Sequence, residues 1–394
     1  MKYNFPHITH LDQVREAIKG RSEFVVAERD WGFVVNYLVG FEDTFNDPQK
    51  INGALRRECR GLKFDLMGNV LARPYHKFFN LNERHETRAE NVDFSQDFVI
   101  LEKLDGSMIH PIYLGGNWNL SPENLIWCTK MGPTDIAVPV QKFVEKNEQY
   151  ARYAAHVMAN NRTPIFEWCS RVQRIVVDYP EDMLILTAIR DNTTGQYLPY
   201  EELVKAETHD IRVVKAWQGD FSGIQDFVDT VQHLEGEEGY IIRFANGHML
   251  KIKNLWYVQL HKAKELMQNE KDVWAVVLDD RVDDVKAFQE EADQKRLNDF
   301  QEALIHALDQ TSDRLNWEVI AWRDNNGESK KKFAVEFVNA EKRFSSKEKA
   351  ILFKIWDGND SKEVVYETVR QSLGSFSKLE DVRHLANGIE WKDF

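Results

Sequence analysis

The chain has 394 residues, enough for two domains with separate cores, and its 43% hydrophobic and 29% charged content is that of an ordinary globular protein. With 51 Lys and Arg against 64 Asp and Glu, the net charge of −13 excludes a protein that simply coats nucleic acid, though not one with a local basic groove. Cys59, Cys128 and Cys169 are too scattered for a disulfide framework or a zinc site, and the lack of a leader or a long apolar run predicts a cytoplasmic protein without membrane contact.

The front of the chain predicts strands joined by tight turns. Phe24–Ala27 and Phe33–Val35 flank Asp30-Trp31-Gly32, and Leu62–Asp65 and Val70–Ala72 flank Met67-Gly68-Asn69. Met108–Leu114 and Trp118–Leu120 flank Gly115-Gly116-Asn117 in the same way. Helical spacing predicts a helix over Thr134–Asn160, and apolar runs predict strands at 164–169, 183–190, 239–244 and 249–253. All ten prolines lie between Pro6 and Pro199, and only four glycines lie beyond Asn254. The rest therefore reads as helical, clearest at 283–308, 347–356 and 361–373, with Asp360 as a cap. The expectation is an α+β domain of antiparallel sheets over 1–254, followed by an all-α domain over 255–394.

Four segments carry candidate chemistry. Glu102-Lys103-Leu104-Asp105-Gly106 places a lysine between a strand and a tight turn, which can hold the amine in a cleft. Glu167 sits in the middle of the apolar strand Ile165–Cys169, where burial requires a cation or metal opposite it; alternatively it faces solvent or pairs with Arg171. Glu238 opens the apolar strand Gly239-Tyr240-Ile241-Ile242. Lys251 and Lys253, two apart, share one strand face, which suits an anion between them or a solvated edge.

In this order the four segments resemble the covalent nucleotidyltransferase superfamily of DNA ligases, RNA ligases and mRNA capping enzymes. Glu58-Cys59-Arg60-Gly61 followed by Arg73-Pro74-Tyr75-His76-Lys77-Phe78-Phe79-Asn80 is similar, more narrowly, to the tRNA-repairing RNA ligases of T-even-like bacteriophages. Arg174-Ile175-Val176 and Trp256-Tyr257-Val258 add to that likeness, which covers about Tyr37 to Asp284.

The resemblance implies a nucleotidyltransferase domain that joins RNA 3′-hydroxyl and 5′-phosphate ends at the expense of ATP. Its substrate would be a nicked tRNA anticodon loop, in the cytoplasm of a phage-infected bacterial cell. Lys103 is the expected nucleophile toward the α-phosphate, giving lysyl-AMP and then RNA-adenylate. Positive charge from Lys251, Lys253 and Mg²⁺ (or Mn²⁺) should favour the neutral amine. Lys251 and Lys253 are expected at the α-phosphate and Arg60 and Lys77 at the nucleotide, with Gly106 beside them. Glu167 and Glu238 would hold Mg²⁺, or Glu167 the ribose hydroxyls. Adenine is placed near Glu102, with Tyr37, Phe79 or Tyr257 as stacking partners or as core. Asp283 and Asp284 are either a helix cap or ligands of a second metal.

Eight basic residues between Lys330 and Lys354, led by Lys330, Lys331 and Lys332, form either an RNA-phosphate patch or a solvated helix face. The helical reading beyond Lys253 leaves no room for the five-stranded barrel expected of a DNA ligase or capping enzyme. An inactive relative that only binds tRNA or nucleotide is the competing class, and it gives no reason for Lys103 to accompany its charged partners.

Overall fold

The computed structural model describes residues 5–394 apart from 42, 46–47, 116–120, 219–222, 287–288 and 290. Two compact units emerge, Met1–Val258 and Gln259–Phe394. The division falls within the helix Leu255–Met267, at residue 258 where the change of sequence pattern suggested 254.

Both N-terminal hairpins form as the turn residues predict. Strands β1 (Phe24–Arg29) and β2 (Gly32–Tyr37) pair antiparallel, and β3 (Arg60–Phe64) and β4 (Val70–Ala72) complete a four-stranded sheet in the order β1-β2-β3-β4. The second sheet has the order β10-β9-β7-β8, with β7 Ser107–Tyr113, β8 Leu125–Cys128, β9 Arg162–Cys169 and β10 Met183–Asp191. The expected hairpin partner Trp118–Leu120 lies outside the described residues; β7 pairs with β8 on one side and β9 on the other. The third sheet has the order β5-β12-β11-β6, with β5 Phe79–Asn80, β6 Phe98–Glu102, β11 Gly239–Phe244 and β12 Met249–Lys253. One departure from antiparallel pairing occurs there, since β5 runs parallel to β12.

The helix expected over 134–160 is two helices, Ala137–Lys146 and Gln149–Met158. Asn147 separates them: its side-chain amide donates to the carbonyl of Phe143 at 2.8 Å, offering the backbone a partner other than the next helical turn. All three cysteines are buried, as packing thiols should be.

Two buried polar assemblies brace this unit. Glu58, at the end of the helix Ile51–Glu58, accepts from Arg190 at 2.7 and 2.8 Å and from Arg73 at 3.0 and 3.1 Å, all three side chains at most 1% exposed. The two guanidinium groups overcome the effect of burial and hold the Glu58 carboxyl at a pKa of about 2. Lys63, wholly buried on β3, donates to the carbonyls of Gly61 at 3.1 Å and Thr129 at 2.9 Å and meets His110 Nε2 at 2.8 Å. Burial pushes its amine down to about 8.

The second unit is helical throughout its assigned elements. Residues 282–286 form a short helix, and a 36-residue helix, Glu291–Asn326, packs on Ser346–Trp356 and Ser361–Arg370. Its core gathers Trp274, Phe300, Leu304, Phe333, Leu352 and Val365. Asp360 caps its helix as predicted, accepting from the Glu363 amide at 2.8 Å. Among the described residues, no helix is long and apolar enough to cross a membrane.

Candidate active site

Strand β6 belongs to the third sheet and β7 to the second, so the turn Lys103–Gly106 carries the chain from one sheet to the other. The two sheets face each other across a cavity of about 190 Å³ whose lining includes Arg60, Glu102, Lys103, Gly106, Glu167 and Lys251. Residues scattered over almost 200 positions of sequence thus meet because two sheets are stacked.

The turn is built to close tolerance. Asp105 is nearly fully buried, and its Oδ2 accepts from the backbone N–H groups of Val176 and Val177, each at 2.7 Å. Its Oδ1 accepts from the Tyr257 hydroxyl at 2.8 Å, and its own N–H donates to the Tyr179 hydroxyl at 2.8 Å. Asp105 is therefore the fixed point around which the nucleophile turn, the 174–177 loop and Tyr257 are assembled. At Gly106 a side chain is excluded: a Cβ would lie 2.4 Å from the Trp168 carbonyl oxygen and 3.1 Å from Glu167 Cγ. Gly106→Ala should cost about 1–3 kcal/mol of stability through this overpacking. Urea denaturation measures it, and an unchanged midpoint would contradict the close packing of the turn on β9.

Gly239 has the same role on the opposite wall. Its φ of +138° and a would-be Cβ 2.1 Å from the Ile252 carbonyl oxygen admit only glycine, and its carbonyl accepts from the Lys103 N–H at 2.8 Å. That contact sets Lys103 directly beside Glu238. The Glu238 carboxylate is ion-paired with Lys103 through Oε2 and with Lys253 through Oε1 at 3.0 Å. The sequence led us to expect Lys251, Lys253 and Mg²⁺ as the charges beside Lys103, with Glu238 on the metal; here the Glu238 carboxylate sits between two amines, an arrangement that offsets their repulsion in a poorly hydrated site.

Among the described residues, Lys251, Arg60 and Lys77 make no ion pair. Lys251 is half-buried, with its ammonium 4.7 Å from the Phe78 ring centroid. Burial first, and then Arg60, Lys77, Lys103 and Lys253, drive its pKa well below the usual lysine value. Glu167 makes no side-chain hydrogen bond or ion pair among the described residues; burial raises its pKa to about 7 against the pull of Lys103. Glu102 is also raised, by burial and by Glu237.

The three aromatic candidates are not among the residues lining this cavity. Phe79 is 2% exposed in the core of the first sheet, and Phe78, one residue earlier, faces the cavity. Tyr37 and Phe79 instead stack around the Lys77 ammonium, 5.1 and 5.2 Å from it. Lys77, Arg60 and Lys130 together pull the Tyr37 phenol below its usual pKa despite burial. Tyr257 is buried on Asp105. Phe78 lies just before the two-residue strand Phe79–Asn80, where no periodic pattern marks which of the adjacent rings faces the cavity.

The other expected residues belong to the second unit. Asp283 is 97% exposed and 3.4 Å from Lys286, while the side chain of Asp284 lies outside the described residues. Lys330, Lys331 and Lys332 are exposed on one short turn, Lys330 paired with Asp357 at 2.5 Å. Arg343 of the same basic cluster is bound to Glu318 at 2.7 Å. Among the described residues, no three of His, Cys, Asp and Glu converge as a metal-binding group.

The cavity thus holds a lysine at the junction of two sheets, within a cluster of cations and opposed by two carboxylates. A family model described as RNA ligase matches residues 58–257, which contain every residue of that cavity. A protein named putative RNA ligase from Thermovibrio ammonificans is 31% identical over 290 residues, covering 70% of this chain and 71% of its own. RNA ligase 1 of bacteriophage TS2126 is 27% identical over 287 residues, covering 70% and 67%. A solved archaeal ATP-dependent RNA ligase superposes with a TM-score of 0.42 at 14% identity, covering 74% of each chain. The chain belongs to the RNA ligase family.

Proposed function

We propose that the protein is an ATP-dependent RNA ligase that captures AMP on Lys103 and seals nicked tRNA. The observation that carries the reading is the cluster of Lys251, Arg60, Lys77, Lys103 and Lys253, five cations against which only Glu238 is paired, with Lys103 and Lys253. Partly buried like charges are tolerable where an anion is to lie among them, and a triphosphate supplies that charge. Lys103 is the nucleophile because it alone stands at the turn between the sheets, with an unbranched amine able to reach a phosphorus atom. It attacks the α-phosphate of ATP as pyrophosphate leaves, and a phosphoramidate links Nζ to AMP. An RNA 5′-phosphate oxygen then displaces Lys103, and the RNA 3′-hydroxyl finally attacks that phosphate and expels AMP. Each step is an in-line transfer, for which the chain's contribution is alignment and charge.

Arg60, Lys77 and Lys251 hold phosphate oxygens as negative charge develops on them. Glu167 and Glu238 fit a hydrated divalent cation: two carboxylates are few for a dedicated cage but suit Mg²⁺, which keeps waters and phosphate oxygens as ligands. The unpartnered, destabilised Glu167 carboxyl is the observation in favour. Bound there, Mg²⁺ would supply charge neutralisation for the phosphates and draw Glu238 from its lysine partners. We assign no role to Asp283 and Asp284 beyond the start of their helix.

Intact-protein mass spectrometry after incubation with ATP and Mg²⁺ tests the reading, which requires the added mass of one AMP; an unmodified protein with pyrophosphate removed would overturn it. The tRNA assignment rests on the exposed Lys331 and Lys332 and their neighbours. Neutralising Lys330, Lys331 and Lys332 should slow sealing of a nicked tRNA about tenfold, leave a short single-stranded RNA within about twofold, and flatten the salt dependence. Equal effects on both RNAs, or none, would remove this cluster from substrate recognition.

A further inference from the structure

One cation lining the cavity is left without any task by the phosphate chemistry. Arg243, on β11, is 5% exposed, and neither its Nη1 nor its Nη2 has a hydrogen-bond partner among the described residues. It makes no ion pair there, although burying a guanidinium without one is costly. Burial accordingly lowers its pKa, opposed weakly by Tyr75, Tyr197, Glu201 and Tyr200.

Its place in the sheet says what it faces. Gly239, Ile241 and Arg243 alternate onto the same face of β11, and the register sets Gly239 beside Lys253, Ile241 between Leu101 and Lys251, and Arg243 between Val99 and Met249. Lys103 is held at the Gly239 end. Arg243 is four residues further along, roughly 14 Å at strand rise. The floor therefore runs from the lysine cluster, over the apolar Ile241 and Leu101, to a buried guanidinium. That sequence of phosphate-binding end, flat apolar platform and isolated donor is the outline of a nucleotide whose phosphates sit at Lys103 and whose base covers Ile241. Thr187, the neutral donor close by, is already committed to the Ile165 carbonyl at 3.0 Å. The adjoining cavity, which Arg243 also lines, carries Asp97 and Glu201 and so does not invite an anion.

We propose that Arg243 reads the nucleobase, its guanidinium donating to a hydrogen-bond acceptor on the purine edge that points away from the phosphates. This rests on the assignment of the cavity to ATP. Adenine offers its ring nitrogens, and a 6-oxo purine offers a carbonyl; the 6-amino group of adenine, a donor, cannot pair with arginine. Arg243 thus sets nucleotide affinity and base preference and takes no part in the transfer itself.

The test measures covalent AMP formation by the full-length protein, as Arg243→Met, Arg243→Lys and wild type, with ATP and its 1-deaza, 3-deaza and 7-deaza analogues. Arg243→Met should raise the KM for ATP about tenfold or more and leave kcat within about twofold, because a charged donor is lost and the reacting end is untouched. Arg243→Lys, retaining a donor, should fall between. One analogue should lose affinity in wild type and not in Arg243→Met, identifying the acceptor. The free protein should melt no lower as Arg243→Met, since an unpartnered buried charge has been removed, whereas its stabilisation by ATP should shrink. A KM within about twofold of wild type in Arg243→Met, or the same analogue penalties in both proteins, would overturn the proposal. So would a lower melting temperature with unchanged KM, which marks a structural arginine. Failure of the wild type itself to take up AMP would instead remove the assignment of the cavity to ATP.

Discussion

Lys103→Ala is expected to abolish covalent AMP capture completely, and Lys103→Arg to do the same. The alanine variant removes the only amine at the junction of the two sheets, and no neighbour can substitute: Lys253 is held by Glu238 at 3.0 Å, and Lys251 lies against Phe78. The arginine variant is the sharper test. It retains positive charge beside Glu238, so ATP should still bind and still stabilise the fold, but a guanidinium stays protonated and cannot attack phosphorus. Sealing of an RNA carrying a preformed 5′-adenylate should survive better than sealing from ATP, because that substrate bypasses the lysine. Mass spectrometry and a sealing assay on the two RNA forms read these outcomes. AMP bound covalently to Lys103→Arg would place the nucleophile elsewhere.

The second large effect lies away from the cavity. Glu58→Ala should cost about 3–5 kcal/mol in urea denaturation, because it leaves two buried guanidinium groups, Arg73 and Arg190, facing each other without their carboxylate. Replacing all three by Met should recover much of the loss, since a fully apolar cluster has no charge left to desolvate. The same assembly predicts a pH dependence. The Glu58 pKa is about 2 in the folded protein against an ordinary 4.5, so the unfolded chain takes up the proton first as pH falls. Stability from this group is therefore complete above about pH 4.5 and declines between there and pH 2, by about 3 kcal/mol in all. Glu58→Gln should flatten that limb of the curve. A loss below about 1 kcal/mol in Glu58→Ala would mean the triad is hydrated in solution. Because Cys59 and Arg60 directly follow Glu58, the variant should also loosen Arg60 at the cavity.

This triad explains motif residues that carry no chemistry of their own. Glu58 and Arg73 stand in the two segments that pointed toward phage RNA ligases, yet Arg73 is spent on Glu58, and Glu58 on Arg73 and Arg190. Asp105 likewise holds loops together within a motif noted for its lysine. The structure separates motif residues that line the cavity from those that hold its walls together.

What the sequence by itself determined is whatever depends on near neighbours along the chain. Turn residues between β-branched runs specified the hairpins β1–β2 and β3–β4, the loss of Pro and Gly beyond Asn254 specified a helical second unit, and Asp360 specified a helix start. The order of Lys103, Glu167, Glu238, Lys251 and Lys253 also belonged to it, since the chemistry required those residue types. Only the tertiary structure decided which groups touch. Glu238 became the counter-ion of Lys103 because Gly239 lets β12 approach within contact and accepts from the Lys103 amide. Phe78 rather than Phe79 faced the cavity because Phe79 is taken into the first-sheet core. Arg243 gave no signal in one dimension, where it is one charged residue in an apolar strand. Its meaning arises from burial without a partner, a property of the folded surroundings and not of the residue.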